Sequence, residues 1–385
     1  MHHKKIVSLK YIIYFFFFLA NGALENFYPM YLTVLKFNGK QIGFIFSIIS
    51  AAGIFLPGLT GIISQKKNPY WIAVCGILCG AFFSILFGFR ENFISVMLLG
   101  ISIFFIRSVF NFSAGNSIIV SIDADKRSSY IAVRDLFLFA GMSLGIFLFP
   151  KLLKICMAKH SIFYWNALYL FPILLLVILL YKNNTHIEDE KEEKTHRHKL
   201  FDVLKDKPFM YFLIVNILLS ISAACSGFIP ILAITIGFDI DKFMTYNSLF
   251  IILNSVAAFF LSKTLADKKR KTIYLIDIFI DCVPYLLFAL TENKNIFLTV
   301  FLILKLKDIF MPISFSYILD IFDDKSISAV LGLTESVNNA VSIISPIIIG
   351  ILWDYISTKI FLIATFFSCI SGIIAWKKLP AVRTK

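Results

Sequence analysis

Charge is scarce in this sequence. Asp, Glu, Lys and Arg make up 16% of the 385 residues while apolar residues reach 58%, and the mean hydropathy is +0.82, far outside soluble averages. Apolar runs of helix-spanning length recur from Tyr11 almost to Trp376. They leave no stretch for a separate soluble enzyme or a secreted disulfide domain. Cysteine is also sparse: the six thiols lie in or beside the apolar runs, where a buried thiol acts as a small apolar residue. That excludes a disulfide framework and a zinc site. The loops hold no metal-ligand spacing, nucleotide-cradling glycine loop or nucleophile motif. The chain is therefore expected to be no enzyme, to need no cofactor and to draw on an ion gradient rather than ATP. A receptor or sensor would need a sizeable output domain, and only a short linker and tail are available.

What the sequence does have is an all-α membrane pattern. Twelve transmembrane helices are expected at about 10–33, 41–64, 70–89, 94–120, 130–150, 163–181, 208–236, 243–262, 272–291, 296–321, 328–353 and 360–376, each long enough to cross a bilayer. The net charge of +13 is explained by where the 37 Lys and Arg fall: 24 lie on the side of the termini and nine on the other. This asymmetry places both termini in the cytoplasm of a multi-pass protein of a bacterial inner membrane. No nucleic-acid partner is required. Lys4, Lys5 and Lys10 precede an apolar run that continues past Ala23 to Leu32, too long for the core of a signal peptide, so it reads as span 1.

The chain turns polar once, between Lys182 and Lys207, with the run Glu188-Asp189-Glu190-Lys191-Glu192-Glu193-Lys194. This is a charged cytoplasmic linker dividing residues 1–181, an N-terminal six-helix bundle, from residues 208–385, a C-terminal bundle with a short tail. His186, His196 and His198 read as part of that solvated linker, not as metal ligands. The two halves repeat. Span 1 ends Phe27-Tyr28-Pro29-Met30-Tyr31-Leu32 and span 7 ends Phe228-Ile229-Pro230-Ile231-Leu232, about 200 residues later. Asp125-Lys126 after span 4 corresponds to Asp324-Lys325 after span 10, and Gly61-Ile62-Ile63-Ser64-Gln65-Lys66-Lys67 after span 2 corresponds to Lys263-Thr264-Leu265-Ala266-Asp267-Lys268-Lys269 after span 8. Two six-helix halves in the same orientation form the parallel repeat of one large class of secondary transporters.

At those last two loops the chain resembles the major facilitator superfamily, whose signature there runs Gly-x3-Asp-Arg/Lys-x-Gly-x-Arg/Lys. Gly61 and Lys66 match in the first copy, with Gln65 in place of the acid and Asn68 in place of the second glycine. Asp267 and Lys268 match in the second, with Lys263 and Arg270 replacing the glycines. The resemblance implies the twelve-helix major facilitator fold and a gating role for Gly61, Gln65, Lys66, Asp267 and Lys268. Physically, such a turn caps neighbouring helix ends with its acid and meets anionic lipid headgroups with its bases.

Function should lie where polarity is expensive. A charge at mid-membrane costs roughly 2.5–3.5 kcal/mol on insertion scales, yet Glu25, Arg107, Arg134, Asp135, Asp277, Asp281, Lys305, Lys307, Asp308 and Glu335 fall inside the expected spans. Tyr14, Asn21, Glu25 and Tyr28 follow one helical stripe, Arg107, Asn111 and Gly115 a second, Lys305, Asp308, Pro312 and Ser316 a third, and Asn216, Ser220, Gly227 and Pro230 a milder fourth. Spans 1, 4, 7 and 10 line the central cavity in the family the chain resembles. The resemblance therefore implies a substrate cavity of Glu25, Tyr28, Arg107, Asn111, Asn216, Lys305, Asp308 and Glu335, with Asp308 and Glu25 carrying a coupling proton. The alternative for Glu25 and Arg107 is an ion pair that only holds helices together. That structural reading is preferred for Asp277 and Asp281, because span 9 is peripheral in the family. Lys307 is expected to point away from the Asp308 face and either to snorkel or to pair elsewhere.

Direction has signals both ways. Asp308 followed by Pro312, and Ser345-Pro346-x3-Gly350, look like drug/proton antiporters. Tyr130-x3-Arg134 looks instead like proton-coupled uptake permeases, and Gly141-x3-Gly145 without a following proline reads as close helix packing. The expectation is proton-coupled export of a small organic molecule by a monomer in the lipid bilayer. The alternative is proton symport of a sugar, nucleoside or organic acid.

Overall fold

The computed structural model describes residues 2–66, 68–115, 124–182, 206–265, 270–310, 314, 317–318, 320–322 and 327–380, and among them there is no strand. Its helices are α1 His2–Val34, α2 Gly39–Lys66, α3 Pro69–Gly88, α4 Phe93–Phe110, α5 Ala124–Ile155, α6 Ala158–Asn166, α7 Leu170–Lys182, α8 Lys207–Ser226, α9 Ile229–Thr235, α10 Ile240–Leu265, α11 Arg270–Phe279, α12 Cys282–Leu290, α13 Lys294–Leu306, α14 Ile327–Ile356 and α15 Ile360–Lys378. Side-chain caps start several of them. Asn68 accepts from the Tyr70 N–H ahead of Pro69 in the first turn of α3, Asn92 from Ser95 at α4, and Asn293 from Asn295 and Ile296 at α13, satisfying donors the helix cannot. Asn68 thus has a local task where the family signature has glycine.

Among the described residues, seven helical stretches are long and apolar enough to cross a membrane, fewer than the twelve expected. The difference has physical causes. The last stretch, Leu333–Lys378, is 46 residues long and runs through α14, the 3-10 turn Ser357–Lys359 and α15; at 1.5 Å per residue it covers ~69 Å, more than twice the ~30 Å hydrocarbon core. Helix α13 has only 13 residues, and α1 is diluted by Asn21, Glu25 and Asn26.

The chain divides into two compact units that are not simply its sequence halves. The first comprises residues 1–37, 48–186 and 238–255, and the second residues 38–47, 187–237 and 256–385. The beginnings of α2 and α10 thus each belong to the unit built mainly from the other half, a departure from the 1–181 and 208–385 division. Close backbone approach explains the first exchange and side-chain hydrogen bonds the second. In the second unit, a Cβ added at Gly39 or Gly43 would meet the backbone oxygens of Gly350 or Pro346, so α2 starts flush against α14. The Asp354 carboxylate accepts the Gly39 N–H at 2.6 Å and the Lys40 N–H at 2.9 Å, a favourable charge at a helix N-terminus. In the first unit, Ser143 and Ser248 join α5 to α10 at 2.8 Å, and Asn247 donates to Asn26 Oδ1 at 2.9 Å.

Within the first unit α1 lies against α5. Cβ atoms at Gly141 and Gly145 would strike the carbonyls of Phe15 and Leu19, so this glycine pair serves helix packing, as the sequence reading preferred. Phe17 stacks on Phe110 at 3.8 Å between ring centroids, and the Trp165 indole donates to the Ala20 carbonyl at 2.9 Å. The second unit has its core around Phe209, Phe212, Tyr274, Tyr317 and Phe322. There Ser222 of α8 meets Ser368 of α15 at 2.8 Å.

Candidate functional site

The first unit assembles Glu25 and Arg107. Asn21 and Glu25 are one turn apart on α1, so the Asn21 amide donates to Glu25 Oε1 at 2.7 Å. Arg107, near the end of α4, donates to Glu25 Oε2 at 2.8 Å. The Tyr169 hydroxyl then donates to Asn21 Oδ1 at 2.8 Å and fixes the amide's orientation. Glu25 is 7% exposed as a side chain and Arg107 45%, so the pair presents its cationic member outward and hides its carboxylate. Immediately after Arg107 and α4 comes a π-helical turn, Asn111–Gly115, and the Asn111 N–H is shared between the carbonyls of Arg107 and Ser108. Single π turns inside α-helices are frequent at functional sites.

The second unit assembles a group the sequence reading had set aside as structural. Asp281 lies in the two-residue break between α11 and α12. Pro284 causes that break: it has no N–H to give the Ile280 carbonyl and its ring crowds it. Lys307, first residue of the 3-10 turn Lys307–Phe310, places Nζ 2.7 Å from Asp281 Oδ2. This contact gives Lys307 a carboxylate partner on another helical segment. Asp277, one turn before Asp281, accepts from Ser314 Oγ at 2.6 Å. Asn216, Ser220, Tyr274, Asp277, Asp281 and Lys307 all line one cavity of about 240 Å³. Its far wall is tied by Ser220, which donates to Asn338 Oδ1 of α14 at 3.1 Å.

The remaining expected residues are dispersed. Tyr28 is buried and its hydroxyl donates to the Val96 carbonyl at 2.7 Å, binding α1 to α4 rather than facing open space. Asn216 lines the cavity while donating to the Phe212 carbonyl at 2.9 Å. Lys305 sits over the Phe301 ring, 5.4 Å from its centroid, and Glu335 is exposed on α14. The side chains of Asp308, Gly61, Gln65 and Lys66 lie outside the described ones, as do Asp267, Lys268 and the linker at 183–205. Arg134 and Asp135 pair with each other at 2.5 Å, and the Arg134 guanidinium lies 5.6 Å from the Tyr14 ring centroid. Sequence reasoning missed Tyr169 and Trp165, which carry no charge to mark them. It did not join Asp281 to Lys307, the pair that the structure shows at 2.7 Å. No group of three or more His, Cys, Asp or Glu able to hold a metal occurs among the described residues.

Two helical units, each with an acid-base pair at an irregular turn of an apolar helix, have the form of a membrane transporter. The Major Facilitator Superfamily model matches residues 11–307, and the chain belongs to that family: it is a transporter and not an enzyme. No curated protein sequence matches it. Among solved structures, the bacterial homologue of the human lysosomal transporter Spinster, inward-facing and unoccupied, is similar at a TM-score of 0.73 with 11% identity, over 97% of this chain and 96% of that one. The same homologue in its inward-facing, occupied conformation gives 0.74 at 11% identity, again over 97% and 96%. The nucleoside transporter NupG gives 0.71 with 17% identity, over 96% of this chain and 97% of that one. These likenesses concern the fold.

Proposed function

We propose that the protein is a proton-coupled secondary transporter that exports a small organic molecule by alternating access. The observation that carries this reading is the Glu25–Arg107 pair, a carboxylate 7% exposed inside an apolar helix, where an ionisable group is costly unless it is used. Glu25 and Asp308 carry the coupling proton, and Arg107, Asn111, Asn216, Lys305 and Glu335 contribute polarity to the substrate path. The helices support twelve spans if α6 with α7, α8 with α9 and α11 with α12 each count as one interrupted span and α14 and α15 as two. The protein works as a monomer in the inner membrane, with both termini and the 182–207 linker cytoplasmic, as the basic asymmetry supports. The segments Gly61–Lys66, at the end of α2, and Asp267–Lys268 take part in gating.

A second reading, proton-coupled uptake, draws on two observations. Pro346 and Gly350, which look like an exporter feature, are engaged in packing on Gly39 and Gly43, and a nucleoside transporter is among the similar folds. Transport in inside-out vesicles under an imposed proton gradient, with labelled drugs, nucleosides, sugars and organic acids, decides between them. Export predicts gradient-driven accumulation inside the inverted vesicles. Uptake predicts proton-driven release from preloaded ones.

A further inference from the structure

We propose that Asp281, with Lys307 and Asp277, forms a proton-binding site in the second unit, on a span outside the four that the family resemblance makes cavity-lining. The inference rests on the reading of the protein as proton-coupled. Three observations converge on it. First, Asp281 occupies the break in the stretch Arg270–Leu290, about 16 Å from its start and so near the middle of a ~30 Å core. Non-helical backbone at that depth is tolerated only where it is covered by protein or lines a cavity. Second, the cavity is there, about 240 Å³ and bordered by the Asn216 amide, the Ser220 hydroxyl and the Asp281 carboxylate; it has room and partners for several waters. Third, the cavity gathers two carboxyl side chains, Asp277 and Asp281, beside one amine, Lys307.

The step is a simple exchange. A hydronium in the cavity gives its proton to a carboxylate oxygen of Asp281, leaving water and a neutral carboxyl, and the Lys307 ammonium keeps an anion within the same cavity in Asp277. Release reverses this. The break between α11 and α12 supplies the joint by which Asp281 and Lys307 can approach or separate without unwinding either helix. The polar and titratable residues that line the cavity with Asp281 include Asp277 and Tyr274 on α11, Tyr285 on α12, Lys307 on the 3-10 turn, and Asn216 and Ser220 on α8. The thiols of Cys225 on α8 and Cys369 on α15 stand behind Tyr285 and Cys282.

The test reads proton binding directly and needs no substrate. The purified full-length protein is reconstituted in phosphatidylethanolamine–phosphatidylglycerol vesicles and titrated with acid while infrared difference spectra follow the carboxylic C=O stretch. The wild type should show a pH-dependent component that is lost in Asp281→Asn and retained in Asp281→Glu. If Asp281→Asn alone fails to fold because Lys307 is stranded, the Asp281→Asn/Lys307→Gln double variant removes both charges and carries the same expectation, with its thermal melting checked beside the wild type. A spectrum unchanged by both variants at every pH overturns the proposal. Because no transport is measured, that failure is separate from a failure of proton coupling itself, which would appear as gradient-independent transport by the wild type.

Discussion

Glu25 is held by three groups that each answer a different need. Arg107 supplies the opposite charge, Asn21 a neutral donor, and Tyr169 the bond that orients Asn21. Arg107→Ala leaves a carboxylate 7% exposed without its cation, which disfavours the charged carboxylate. Transport by that variant should fall well below what its membrane expression accounts for, as vesicle assays normalised to immunoblots would reveal. An equal loss of both would mark the pair as a structural tie. At Asp308 the expectation differs. Moving one charge through 100 mV supplies about 2.3 kcal/mol, enough for roughly 50-fold accumulation when coupling is tight. Asp308→Asn should abolish that accumulation and preserve substrate exchange at equal concentrations; proton-driven accumulation at the wild-type level would pass the role to Glu25. The Glu25–Arg107 pair was legible in the sequence because each member is a lone charge on a polar stripe of its own apolar run. The Asp281–Lys307 pair was present as residues but not as a pair. Asp281 shares its apolar run with Asp277, and Lys307 shares its run with Lys305 and Asp308, so the charges alone did not single out which would meet.

At the scale of helices, irregular turns mark the places where polar groups gather: the π turn after Arg107, the break at Asp281 and the 3-10 turn at Lys307. Helix starts are set by Asn caps at Asn68, Asn92 and Asn293, whereas the sequence placed spans by apolar runs alone. The π turn was not readable, since the sequence Asn111-Phe112-Ser113-Ala114-Gly115 satisfies a helical pattern equally well. Close packing on α5 was readable from Gly141-x3-Gly145, but its partner α1 was not. Gly145→Val would drive a side chain into the Leu19 carbonyl, and overpacking of this kind costs about 1–3 kcal/mol. Its thermal melting in detergent should drop, while the same change at Gly53, where an added Cβ meets nothing within 4 Å, should leave melting near that of the wild type. Similar melting for the two variants would show that the α1–α5 contact adapts. A corresponding test of the break is Pro284→Ala, which restores the N–H that the Ile280 carbonyl lacks. If the joint matters for function, transport should slow although the protein melts no lower; unchanged transport would assign Pro284 to shape alone.

For the whole molecule, composition and the spacing of apolar runs were enough to read an all-helical membrane protein, because a bilayer restricts both length and polarity of what crosses it; that it transports came from the repeat of its halves and the family resemblance. The exchange of residues 38–47 and 238–255 between the two compact units was beyond that reading. It depends on small residues meeting backbone across helices distant in sequence, such as Gly43 with Pro346. Orientation is a further expectation at this scale: 24 basic residues on one side against nine on the other place the 182–207 linker in the cytoplasm. A single cysteine introduced there should resist membrane-impermeant maleimide in intact cells and react in inverted vesicles. Labelling in intact cells would reverse the assignment. The central claim, proton-coupled transport, is tested most directly with reconstituted vesicles that enclose a pH-sensitive dye and receive a panel of candidate compounds. The account predicts that a transported compound moves protons in the opposite direction, and that Asp308→Asn abolishes this proton movement. Compound flux with no change in internal pH, in wild type and variant alike, would contradict it.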